Sequence, residues 1–155
     1  MTIPVVSFVV GVIAGLRAMT APAAVSWAGS LDAVRPRRTR LAFMNGPYAR
    51  SILTVAALGE LVVDQLPSTP SRRVPIQFGA RIVSGALSGA AIGAIARASW
   101  PACAMAGGFG AVLGTLGGSA VRSRLASAFG KDRPAALLED AVAIGGAALV
   151  LGARR

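Results

Sequence analysis

Residues 81–93 read RIVSGALSGAAIG, a stretch in which glycine recurs at every fourth position, at Gly85, Gly89 and Gly93. This spacing places the three glycines along one stripe of an α-helix. The apolar run around them, residues 74–96, reaches the length of about 20 residues that a helix needs to cross a bilayer. Because lipid gives helices no hydrophobic reason to associate, we expect this helix to pack through its glycine stripe.

The same glycine spacing recurs in two other apolar runs, residues 3–28 and 102–121. Close backbone approach along such stripes is a main source of packing energy between membrane helices. The spacing suits contacts within one chain as well as contacts between subunits, and we expect a homo-oligomer. The glycines predicted to pack helices are Gly11, Gly15, Gly85, Gly89, Gly93, Gly110, Gly114 and Gly118.

Two shorter apolar runs, residues 51–66 and 135–151, complete the set of candidate segments. Each carries two acids, so neither can cross a bilayer without placing carboxylates in the hydrocarbon. These segments therefore line something polar or do not span fully. The positive-inside rule favours four spans, with residues 51–66 re-entrant or lying on the cytoplasmic face and both termini outside.

The composition agrees with a membrane protein. Of the 155 residues, 54% are hydrophobic and only 14% are charged, which excludes a disordered chain. We predict an all-α integral membrane fold, a single membrane-embedded helical domain over residues 1–155 with four to five short transmembrane or re-entrant helices. Cys103 is the single cysteine and histidine is absent, so we expect no zinc site of the Cys/His kind, no other metal and no cofactor.

The net charge of +10 comes from 16 Lys and Arg against 6 Asp and Glu. These cations lie between the apolar segments, where they act as topology signals and contact lipid headgroups. No basic helix with interleaved aromatic residues is present to stack on bases. We therefore expect membrane lipids as partners and no nucleic acid.

Arg17 lies about midway along residues 3–28, where an unpaired charge is costly. Pro22 follows it, and a proline lacks the N–H of a helix and clashes with the carbonyl four residues earlier, that of Ala18. Broken helices at membrane depth are tolerated where protein or a water-filled cavity surrounds them. We predict that the first helix breaks near Arg17 to Pro22. The alternative is that Arg17 reaches an interface and Pro22 starts a surface turn.

Four acids on two segments are candidates for the charges that accompany Arg17. Glu60 and Asp64 share one helix face, with Arg17 and Arg81 as available counter-charges, and we expect Arg17 to pair with Glu60. An amphipathic helix with its acidic face at the membrane surface is the alternative. The predicted substrate or ion site comprises Arg17, Thr20, Pro22, Glu60, Asp64, Arg81, Glu139 and Asp140.

The last two of these acids, Glu139 and Asp140, have a separate structural explanation. Asp132 could cap a helix with Pro134 in its first turn, which would place both acids near a favourable helix N-terminus.

Motifs spread over most of the chain resemble those of a known family. They are Gly11-x-x-Ala14-Gly15-Leu16-Arg17-Ala18-Met19-Thr20-x-Pro22, Glu60-x-x-x-Asp64-x-x-Pro67, Arg81-Ile82-x-Ser84-Gly85-Ala86, Gly110-Ala111-x-x-Gly114-Thr115 and Glu139-Asp140-Ala141. Together they resemble a family of small multi-spanning bacterial membrane proteins classed as a domain of unknown function. The resemblance implies an uncleaved multi-spanning protein, which we expect in the bacterial inner membrane, and it supplies no activity or substrate.

We expect the chain to be a channel or transporter subunit with a charged site inside the membrane. The alternative is a non-catalytic assembly or lipid-binding membrane protein whose buried ion pairs are structural. An enzyme acting on lipid phosphates through Mg²⁺ is a third hypothesis. The absence of histidine and of any recognisable nucleophile or metal motif counts against it, so we expect no catalytic residues.

Overall fold

A computed structural model describes residues 1–31, 44, 46–63, 75–130 and 132–152, and this part of the chain contains six helices and no strand. The predicted all-α class is therefore confirmed. The helices are α1 (Ile3–Leu16), α2 (Thr20–Leu31), α3 (Pro47–Val63), α4 (Pro75–Ile95), α5 (Trp100–Phe129) and α6 (Asp132–Gly152).

Two of these helices, α4 and α5, are long and apolar enough to cross a membrane, while α1 is apolar but shorter. The fifth helix continues well past Val121, where we expected its segment to end. Arg122 and Arg124 therefore lie on the helix, because the Leu, Ala and Ser residues after them sustain it. It ends at Gly130, whose φ of 65° gives the left-handed conformation in which glycine commonly terminates helices.

The first helix and α4 both pack closely against α5. Gly11 of α1 lies against the backbone of Gly107, and Gly15 lies against Ala111, so α1 runs parallel to α5. On α4 the order is reversed, because Gly85 lies against Gly107 and Gly89 against Cys103. At all four glycines an added Cβ would collide with α5.

The remaining glycines predicted to pack helices also lie at contacts. Gly93 faces Trp100 and Cys103, Gly110 and Gly114 face α1, and Gly118 faces Leu16. Apolar residues of α1, α2, α4, α5 and α6 contribute to the core, among them Val10, Val25, Ile92, Ala111 and Ala143. By contrast α3, which packs against α2, has no buried residue.

The first segment breaks into two helices, as the sequence predicts. Arg17 ends α1 in an extended conformation with φ of −141°, and α2 begins at Thr20. Pro22 lies within the first turn of α2, where its missing N–H costs no helical hydrogen bond. The ring of a proline clashes with the carbonyl of a helical residue four positions earlier. The break therefore falls at and around Ala18 rather than at Pro22 itself.

Candidate functional site

The break between α1 and α2 frees main-chain polar groups that a continuous helix would pair. These are the carbonyls of Gly15 and Leu16 at the end of α1 and the N–H groups of Ala18 and Met19 before α2. Arg17, within the break, is only 1% exposed, so water does not reach the break to form hydrogen bonds with these groups. Buried main-chain groups must find other partners.

Glu60 of α3 satisfies the freed N–H groups. One carboxylate oxygen, Oε1, accepts a hydrogen bond from the N–H of Ala18 at 2.8 Å. The other, Oε2, accepts one from the N–H of Met19, also at 2.8 Å. The carboxylate therefore lies at the N-terminal end of α2, where the helix dipole favours negative charge.

Arg81 of α4 satisfies the freed carbonyls. Its Nη1 donates to the oxygens of Gly15 and Leu16, both at 2.6 Å. The guanidinium is buried and lies at the C-terminal end of α1, where the dipole favours positive charge. Its Nη2 lies 3.8 Å from Oε1 of Glu60, so two opposite charges meet across the break.

Two hydroxyl groups complete the hydrogen bonding, and our sequence analysis did not assign them to the site. Ser84 donates to the carbonyl of Ala18, which Pro22 deprives of its helical donor. The hydroxyl of Thr115 on α5 shares its one hydrogen between the carbonyl of Ala111, at 2.8 Å, and that of Gly15, at 3.1 Å. The signal for Ser84 was its position three residues after Arg81, on the same face of α4.

Arg17 forms its ion pair with Asp140 of α6, not with the carboxylate of Glu60 that we expected. Its hydrogen bond to Glu60, at 3.2 Å, is to the main-chain oxygen. The physical reason is that both carboxylate oxygens of Glu60 are engaged by N–H groups of the break. Arg17 and Asp140 are both buried, and each would carry a large desolvation cost without the other.

Glu139, next to Asp140, faces a different cation. Its Oε2 lies 3.6 Å from Nη1 of Arg122 on α5. Both acids lie well beyond the first turn of α6, which begins at Asp132. The helix dipole acts mainly within the first turn, so the explanation that it stabilises these two acids is wrong.

Two predicted site residues remain, Thr20 and Asp64. Thr20 begins α2 and is buried, but within the described part of the chain its hydroxyl makes none of the bonds above. Asp64 lies outside the described residues. The described residues also contain no group of three His, Cys, Asp or Glu that could hold a metal ion.

Among the described residues, the site brings together two buried arginines and two acids around a helix break. Arg17, Arg81, Glu60 and Asp140 come from the break itself, α3, α4 and α6. No nucleophile or proton-transfer pair stands out among these contacts. In this arrangement the N-terminal end of α2 binds an anionic group, the carboxylate of Glu60. The C-terminal end of α1 binds a cationic group, the guanidinium of Arg81.

Comparison with known proteins gives one match. The model of a family described as a domain of unknown function, DUF4126, matches residues 5–153. This confirms the resemblance to such a family that the motifs indicated. No curated protein and no solved structure matches the chain.

Proposed function

The chain belongs to the DUF4126 family, and from the geometry of its helix break we propose that it is a small multi-pass membrane protein that transports a small anion. Membrane insertion is supported by α4 and α5, which are long and apolar enough to cross a bilayer. It is also supported by large exposed apolar side chains such as Met105 and Phe109 of α5. Such surfaces suit lipid rather than water.

The broken helix supports a binding site. In transporters with discontinuous helices, the N-terminal ends of half-helices point at anionic groups of the substrate, while the C-terminal ends favour cations. Here Arg81 holds the cation position at the end of α1. The carboxylate of Glu60 holds the anion position before α2.

The observation that carries the proposal is which helix supplies this carboxylate. Glu60 comes from α3, a helix that has no buried residue of its own. The contacts between α2 and α3 include a hydrogen bond from Nε1 of Trp27 to Thr54, at 3.1 Å, and the guanidinium of Arg50 over the Trp27 ring. Leu53 of α3 packs against the core, but α3 buries none of its residues completely, and a helix with so little buried surface opens more readily than the core helices.

Withdrawal of α3 would remove one negative charge and expose an anion site. Two main-chain N–H groups, those of Ala18 and Met19, would be freed, with Arg81 beside them and Arg17 still paired to Asp140. The charge of the described residues at the break would then be more positive by one unit, which favours an anion over a cation. In this mechanism Glu60 occupies the site between transport events, and the transported anion replaces it.

The test is ion flux across liposomes that contain the purified protein. Glu60→Gln keeps the size of the side chain and removes the charge that competes with the anion. We expect it to raise chloride or acetate flux several-fold over wild type, with no potassium flux in either protein. Leu58→Ala is the control, since it changes an exposed residue of the same helix outside the break. Absence of anion flux in wild type and in Glu60→Gln would refute the proposal.

A second candidate function is a non-catalytic assembly or lipid-binding protein with structural ion pairs. The observation that favours it is that each charge discussed has an opposite partner, in the pairs Arg17 with Asp140, Arg81 with Glu60, and Arg122 with Glu139. Such pairs can fix how helices fit together without carrying any cargo. Under this function, substitutions in the cluster change stability while no variant conducts ions.

A further inference from the structure

A groove between α1, α5 and α6 lies beside the helix break and has a volume of ≈ 310 Å³. Its walls are apolar and include Val12, Leu113, Leu138 and Val142, while Arg122 and Glu139 also line it. The volume is at the lower end of the range of about 300–1,000 Å³ typical of small-ligand pockets. A groove of this size accommodates part of a ligand whose remainder lies outside the protein.

The groove exists because α1 is shorter than the helix it packs against. The two run parallel, and Leu16, the last residue of α1, lies beside Gly118 of α5. The fifth helix continues to Phe129, so its face beyond Gly118 loses the cover of α1. At Gly117, which lines the groove, an added Cβ would meet no atom within 4 Å.

The position of Arg122 along α5 places it at the level of lipid headgroups. Trp100 begins α5 and is exposed, as expected of an aromatic residue at a membrane interface. At about 1.5 Å per residue, Arg122 lies roughly 33 Å further along the helix. The hydrocarbon layer is about 30 Å thick, so Arg122 comes to the opposite interface. The apolar walls of the groove then run from that interface into the hydrocarbon.

The chemistry of the groove mouth favours an anionic headgroup. The side chain of Arg122 is 19% exposed, and its contact with Glu139, at 3.6 Å, is longer than a strong hydrogen bond. A guanidinium has five N–H donors, so Arg122 can keep Glu139 and still donate to a phosphate.

We propose that this groove binds one anionic phospholipid, with an acyl chain between α1, α5 and α6 and its phosphate at Arg122. A polar head and an apolar chain match a cleft with a cationic mouth and apolar walls. A protein helix is about 10 Å or more across with its side chains, which is wide for a cleft of this volume. The proposal requires membrane insertion and does not depend on anion transport.

The first test compares two glycine substitutions by native mass spectrometry of the full chain in detergent. Gly117→Leu fills the groove, whereas Gly145→Leu places the same side chain on α6 at a glycine that also has open space around it. After lipid removal, each protein is mixed with phosphatidylglycerol. We expect wild type and Gly145→Leu to retain one lipid and Gly117→Leu to bind it at least about tenfold more weakly. Equal retention by the two variants would overturn the proposal.

The second test addresses the headgroup. Wild type should prefer phosphatidylglycerol to phosphatidylcholine, and Arg122→Gln should lose roughly a factor of five of that preference, the factor equivalent to ~1 kcal/mol for one cation near an anionic membrane surface. An unchanged preference would contradict the role of Arg122, and this comparison stands even if Gly117→Leu fails to fold. If Gly117→Leu instead dissociates an oligomer without changing lipid binding, the groove is a contact between copies of the chain and the proposal is wrong.

Discussion

The carboxylate of Glu60 and the guanidinium of Arg81 approach to 3.8 Å across the gap between α1 and α2. Each also binds the main-chain groups of the helix end that suits its charge. Glu60 accepts from N–H groups before α2, and Arg81 donates to carbonyls at the end of α1. The broken helix and the two charges therefore stabilise one another, and neither would be tolerated in a buried position without the other.

Replacing Glu60 should destabilise the protein, and the loss should be larger when the new side chain accepts fewer hydrogen bonds. In Glu60→Ala the N–H groups of Ala18 and Met19 lose their acceptor, and Arg81 loses the carboxylate that lies 3.8 Å from it. We expect a loss of about 3–5 kcal/mol in the free energy of unfolding, the range for breaking one side of a buried ion pair. Glu60→Gln, whose amide oxygen still accepts one of these bonds, should lose clearly less.

Denaturant unfolding in detergent micelles measures both variants. Leu58→Ala is the control, because Leu58 is an exposed residue of the same helix. A loss for Glu60→Ala no larger than that of Leu58→Ala would contradict the role assigned to the carboxylate.

The position of the break could be predicted from the sequence, but the partners of its charges could not. Pro22 excludes a helical residue at Ala18, and that local rule located the break. The pairing of Arg17 with Asp140 depends on how α6 packs against α1, and the two residues are 123 positions apart. Glu60 is closer to Arg17 in sequence, but the main-chain N–H groups of the break bind its carboxylate. The spacing of residues does not show that these N–H groups compete with Arg17 for Glu60.

The hydroxyl groups of the site were missed for a different reason. Serine and threonine are common at contacts between membrane helices, so the residue type alone does not distinguish Ser84 or Thr115. The end of α5 was also misplaced, because Arg122 marks the end of the apolar run but not the end of the helix. A charge can lie on a helix that continues past the apolar region, and composition alone does not separate the two boundaries.

Arg17 and Asp140 should show a positive coupling energy in a double-mutant cycle. Arg17→Met and Asp140→Asn each leave a buried charge without its partner, whereas the double variant removes both charges. We expect the double variant to be at least about 1 kcal/mol more stable than the sum of the single effects predicts. Thermal or denaturant unfolding gives the four free energies. Arg50→Met combined with Asp140→Asn is the control cycle, because Arg50 contacts the Trp27 ring rather than Asp140, and the two effects should add.

Gly89 should not accept a larger side chain, whereas Gly79 on the same helix should. An added Cβ at Gly89 would collide with the carbonyl of Cys103, which belongs to a helix backbone and cannot move aside. At Gly79 nothing lies within 4 Å. Gly89→Leu should therefore abolish folding or lower the midpoint of thermal unfolding by many degrees, and Gly79→Leu should change it little. Similar midpoints for the two variants would show that α4 does not pack on α5 in this way.

The protein should behave as an integral membrane protein with an intact N-terminus. The apolar α4 and α5 cannot leave a bilayer without exposing their apolar surfaces to water. Alkaline carbonate washing of membranes should therefore leave the chain in the pellet, and intact-mass measurement should find no cleavage near Ala23. Release into the supernatant would contradict membrane insertion, and with it the proposed transport and lipid binding.

Arg81 should be replaceable by lysine at a smaller cost than by methionine. Arg81→Met removes the guanidinium that donates to the carbonyls of Gly15 and Leu16, and a buried group left unsatisfied costs about 1–3 kcal/mol. Lysine keeps the positive charge at the C-terminal end of α1, but its compact ammonium group cannot reproduce the planar fork that reaches both carbonyls and Glu60. We expect the loss for Arg81→Lys to lie between zero and that of Arg81→Met when unfolding is followed in detergent. Equal losses for lysine and methionine would show that the positive charge itself contributes nothing, and Glu60 would then need another counter-charge.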